Sequence, residues 1–139
     1  MSVDAEVLRV VRGWASKAEN DLRTAAHTLK LESRCPTDTV CFHAQQCVEK
    51  YVKALLVLQS VPFPKTHDLG VLMRSLPEAW QPDLAPDQIR RMTDYATVTR
   101  YPGEYEPVTL DEARSAIKLA RKVRRHARAL LLKAKRSLS

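Results

Sequence analysis

Four polar side chains in one row are the first chemistry this sequence offers. His43, Gln46, Lys50 and Lys53 recur at intervals of three, four and three, which on a helix turning 100° per residue gathers them within about 80° of arc. An imidazole, an amide and two ammonium groups so placed suit a phosphate or the edge of a base; the same row also fits an ordinary solvated face. Pro64-Lys65-Thr66-His67-Asp68 follows. Imidazole titrates near neutrality, so His67 reads as a general acid or base or as a phosphate ligand, while Asp68 also fits a helix cap. Arg100-Tyr101-Pro102 lies in a connection. A guanidinium beside an aromatic ring suits a phosphate or a base face, and equally suits closing one end of a bundle. Finally, Arg114, Lys118, Arg121, Arg125 and Arg128 are spaced by four, three, four and three. Such a stripe attracts polyanions when it is not simply a solvated outer face.

Helices must position all of these groups. Val7, Val11, Trp14, Ala18, Leu22, Ala25 and Leu29 repeat at helical spacing and predict a first helix from about Asp4 to Leu31. Ser33-Arg34-Cys35-Pro36 breaks it. Thr37 or Asp38 is expected to cap a second helix with Val40, Ala44, Cys47, Val48, Tyr51, Leu55 and Leu58 on its apolar face, ending before Pro62. A short third helix starts at Thr66 or Asp68 and runs through Leu76. Residues 77–86, with three prolines, read as a connection, and a fourth helix begins near Asp87 and carries Ile89, Met92, Tyr95, Ala96 and Val98. A second connection spans Arg100 to Pro107. The fifth helix should run from Thr109, as N-cap, to about Lys135. The expected fold class is all-α, an antiparallel up-and-down helical bundle of four to five helices, and residues 1–139 are read as one domain.

Composition narrows the function classes. The net charge is +7, yet residues 1–113 hold 13 Lys and Arg against 16 Asp and Glu, whereas residues 114–139 hold 10 Lys and Arg and no acid. The basic character therefore belongs to the last helix. Cys35, Cys41 and Cys47 are odd in number and form no CxxC pair, which speaks against a disulfide framework or a structural zinc site. No Gly-rich phosphate loop, HExxH motif or nucleophile elbow appears, so no metal or cofactor is expected. Only eight aromatic residues are present and none interleaves with the basic stripe, which disfavours a base-stacking platform. No long apolar run or basic, greasy leader is seen, and Asp4 and Glu6 stand near the start, so a soluble cytoplasmic protein is expected.

Taken in order, an opening helix with Asp21-Leu22, FHAQQCVEKYVKALL at 42–56, PKTHDL at 64–69, RYPGEY at 100–105 and an Ala-rich final helix resemble the HEPN domain family over roughly residues 10–132. The resemblance implies a helical bundle, usually a homodimer, often working with a minimal nucleotidyltransferase partner as a toxin and antitoxin pair. Many members are metal-independent ribonucleases and others bind nucleotides without cutting, so a nucleotide or RNA is the implied ligand. Arg121 and His126 stand at the spacing of the ribonuclease branch, but a separation of five turns them about 140° apart on a helix. The branch with FHAQQ, KTHDL and RYP motifs is the better likeness. It marks His67, His43 and Arg100 as catalytic, with Gln46, Lys50, Lys53, Lys65, Asp68 and Tyr101 holding nucleotide or phosphate. The competing reading is a non-catalytic interaction module that docks an acidic partner through its basic C-terminal helix.

Overall fold

The computed structural model describes residues 4–97 and 107–136. Among them five α-helices follow one another, α1 (Ala5–Leu29), α2 (Thr37–Leu58), α3 (Leu69–Arg74), α4 (Pro86–Thr97) and α5 (Leu110–Arg136), with short 3-10 turns at Glu32–Arg34 and Glu78–Trp80. They form the antiparallel bundle that the periodicity implies. No described helix is long and apolar enough to cross a membrane.

The second helix is the axis of the bundle. It lies against α1 and α5 along its length and touches α3 and α4. All seven residues expected on its apolar face are buried, and so are Cys41, Val52, Ala54 and Leu56. A helix packed on several sides leaves only a narrow arc for polar groups, which is why the row from His43 to Lys53 is half-buried and not freely solvated. The fifth helix presents Ala113, Ala116, Ala120 and Ala127 to the core beside Ile117 and Val123; these small side chains allow close helix approach.

Caps and turns set the ends. Asp4 accepts the Glu6 amide at 2.7 Å, and Thr109 accepts the Glu112 amide at 3.0 Å. The expected capping of α2 is not observed. Pro36 occupies the N-cap position, the Thr37 hydroxyl donates to the Val108 carbonyl at 2.6 Å, and Asp38 accepts only the adjacent Thr39 amide. The hydroxyl thus ties the start of α2 to the entry of α5. At the other end of α2, the Val61 amide bonds the Leu56 carbonyl at 2.9 Å and the Ser60 amide bonds that of Val57 at 3.0 Å. This is a Schellman closure. Ser60 adopts φ 56°, the left-handed position where glycine is usual. The closure turns the chain into Pro62-Phe63-Pro64 and so carries His67 back toward α2.

Candidate functional site: two carboxylate-held imidazoles against the second helix

Asp21 is an acid on the core-facing side of α1, flanked by buried Ala18, Leu22 and Ala25. A buried carboxylate needs compensation, and α2 supplies it two turns apart. His43 Nδ1 donates to Asp21 Oδ1 at 2.8 Å, and Lys50 Nζ donates to Oδ2. Because the acceptor is a carboxylate, the proton sits on His43 Nδ1, and Nε2 is the nitrogen left for chemistry.

Glu49 repeats this arrangement one step along the helix. It is only 3% exposed and accepts three bonds, from Gln45 Nε2 at 3.1 Å, Lys53 Nζ at 3.1 Å and His67 Nδ1 at 2.8 Å. Gln46 donates to Gln45 at 2.6 Å and extends the network toward the Asp21 group. The Lys53 ammonium also lies 5.4 Å from the Trp14 ring centroid and 5.9 Å from that of Phe63, within cation–π range. The His67 side chain is 57% exposed and that of His43 28%. Each of the two imidazoles is oriented through Nδ1 by a carboxylate, the geometry that fixes tautomer and ring direction in proton-transfer sites.

The remaining expected residues divide sharply. Lys50 and Lys53 each face a carboxylate, so the charge they carry is largely matched within the band. Asp68 accepts the Val71 amide at 3.2 Å as the cap of α3. Lys65 is exposed. Arg100 and Tyr101 lie outside the described residues, as does Val98. On α5 all five cations are exposed; Arg114 pairs with Asp111 at 3.1 Å and Arg128 approaches Glu19 at 3.7 Å, whereas Lys118, Arg121 and Arg125 face no carboxylate among the described residues. His126 Nε2 donates to the Trp80 carbonyl at 2.7 Å, which anchors the 77–86 connection on α5. It points away from any pairing with Arg121, as the helical angle requires.

A model of the HEPN domain matches residues 11–136. The chain is a member of the HEPN domain family. It is 28% identical to "Putative toxin MJ1304" of Methanocaldococcus jannaschii, with 84% of each chain covered. The crystal structure of TT1696 from Thermus thermophilus superposes with a TM-score of 0.68 at 29% identity, covering 86% of this chain and 96% of that one. ST0689, an archaeal HEPN homologue, gives 0.64 at 25% identity, covering 87% and 97%.

Within this HEPN bundle a third charged node lies on the other side of α1. Glu19 accepts from the Tyr51 hydroxyl and from Arg124 Nε, joining three helices. Burial opposes its charge, but these two bonds and the charges of Arg124 and Arg128 outweigh burial and hold the carboxyl below its ordinary value. Burial and the bond to Glu19 push the Tyr51 phenol up. Sequence reasoning assigns no role to Asp21, Glu19, Gln45 or Glu49. The available signal is an acid standing on an otherwise core-facing arc, with Lys53 four residues after Glu49.

Proposed function

We propose that this chain is the HEPN component of a toxin and antitoxin pair, a homodimer that binds RNA, cleaves it without a metal ion, and works with a nucleotidyltransferase partner. The observation that carries the reading is the pair of imidazoles whose Nδ1 atoms rest on buried carboxylates. Family membership and the toxin in the name of the M. jannaschii relative support the cellular role.

In this reading His67 Nε2, the more exposed of the two, takes the proton of a ribose 2′-hydroxyl. The oxygen attacks the adjacent phosphorus, the bond to the 5′-oxygen breaks, and that oxygen receives a proton from an imidazole. The products are a 2′,3′-cyclic phosphate and a 5′-hydroxyl. Arg100 is assigned the developing negative charge, and Gln46 and Lys65 the flanking contacts. Incubation of purified protein with RNA in chelator tests this. Cleavage is expected, with loss in His67→Ala and Arg100→Ala and none in His126→Ala; unchanged cleavage in the first two variants contradicts it.

The exposed cations of α5 favour one second reading, an acidic protein docked on that helix. There, charge reversal at Arg121 and Arg125 abolishes partner association while His43→Ala and His67→Ala leave it intact.

A further inference from the structure

Both ends of the exposed basic stripe read along α5 are drawn toward a carboxylate. Arg114 faces Asp111 and Arg128 faces Glu19. What the fold builds instead runs across the helix. A groove of about 480 Å³ between α4 and α5 is lined by Arg91, Lys118, Lys122 and Arg125, over a floor that includes Met92, Ala116 and Leu119. A second groove of about 320 Å³ between α1 and α5 is lined by Arg23, Arg121, Arg124 and Arg125. Arg125 is the wall between them.

The carboxylates in both grooves are already engaged. Glu112 accepts the Tyr95 hydroxyl at 2.6 Å, and Glu19 is held by Tyr51 and Arg124. Arg91, Lys118, Lys122, Arg125, Arg121 and Arg23 face no carboxylate among the described residues, and all six are exposed. Six such cations over two joined troughs are an electrostatic path with unmet charge.

We propose that this transverse track holds the phosphodiester backbone of a single-stranded RNA, entering between α4 and α5, crossing over Arg125 and leaving between α5 and α1. The identity of the strand as RNA rests on the function proposed above. A protein partner fits less well, because lysine is depleted at interfaces, which need roughly 800 Å² per side, whereas Lys118 and Lys122 stand beside the central Arg125. The track is also separate from the imidazole band. Glu19 and Asp21 leave α1 about 160° apart, so the Arg23 side of the track and the Asp21–His43 pair lie on opposite sides of that helix. The track therefore serves capture and retention of the strand, distinct from cleavage.

The test uses the full chain and a short 2′-O-methyl RNA, which cannot be cleaved through its 2′-oxygen, in fluorescence anisotropy across a salt series. Each phosphate contact on a single strand adds about −0.7 to the slope of log affinity against log salt. The double variant R91A/K122A is expected to flatten the slope by about 1.4, and Arg125→Glu to weaken binding about tenfold or more near 0.1 M salt. Arg114→Ala and Arg128→Ala should match wild type, and because the probe is not cleaved the result stays readable even if the cleavage reading fails. Equal losses in Arg114→Ala and R91A/K122A overturn the track in favour of the lengthwise stripe. Displacement of RNA by poly-L-glutamate as effective as by unlabelled RNA of equal charge overturns it in favour of an acidic protein ligand.

Discussion

Glu49→Ala is the perturbation that most clearly separates a built polar network from a decorated helix face. Glu49 is 3% exposed and is the carboxylate partner of Lys53, itself only 11% exposed. Removing one member of a buried ion pair costs about 3–5 kcal/mol because the other charge is left uncompensated. The Gln45 amide also loses an acceptor, worth about 1 kcal/mol. Against this, the Lys53 ammonium keeps the Trp14 and Phe63 ring faces, which offset about 1 kcal/mol. A net loss of about 3–5 kcal/mol follows, a large share of the stability of a domain this size. Urea unfolding with the slope unchanged and the midpoint lowered reads it directly. Taking out both charges in E49Q/K53M should be milder than Glu49→Ala, at about 1–2 kcal/mol, because no buried charge is stranded. A loss below about 1 kcal/mol for Glu49→Ala, or simple additivity of the two substitutions in E49Q/K53M, would refute the reasoning.

Three further outcomes are expected. Burial, helped by the charges of Glu19 and Asp21, pushes the Cys47 thiol up to about 12, and Cys41 is fully buried, so a thiol reagent at neutral pH should modify only half-buried Cys35 until denaturant is added. Because the folded-state pKa of Glu19 is depressed, the stability it contributes is present above the ordinary carboxylate pKa and is lost as pH falls through the depressed value; Glu19→Gln should show a shallower acid limb in thermal melts than wild type, and an identical limb would contradict the assignment. Ser60 holds φ 56° at the end of α2, so Ser60→Gly should raise stability by about 1 kcal/mol in equilibrium unfolding.

Long-range architecture is legible in residues that repeat. Val11, Ala18, Leu22 and Ala25 on α1, and Ala113, Ala116, Ala120 and Ala127 on α5, are buried as their spacing requires, since helical period alone decides which face meets the core. Short-range chemistry that depends on a distant partner is not legible. Thr37 reads as a cap, yet its hydroxyl bonds Val108, 71 residues later. The row from His43 to Lys53 is visible as a stripe, but the acids that orient it come from α1 and from the buried side of α2 itself. A carboxylate on a core-facing arc carries no local mark of which base it will meet. His67 illustrates the same limit, because its approach to Glu49 depends on the Ser60 turn that brings the chain back. Spacing along α5 marks Lys118, Arg121 and Arg125 as outward-facing cations, and they are exposed; the Asp111–Arg114 pair is also legible as an i,i+3 spacing, whereas the approach of Arg128 to Glu19 follows from geometry the spacing does not encode.

The central claim is that a carboxylate-held imidazole moves the proton in RNA cleavage. Its most direct test is chemical rescue of His67→Ala, with RNA cleavage followed in chelator at saturating protein and the fold checked by circular dichroism. General acid–base catalysis by one group is worth about 10²–10⁴ in rate, so the variant should fall by that factor and regain part of it when free imidazole is added. A rate equal to wild type, or a loss that imidazole leaves untouched in a folded variant, would contradict the account.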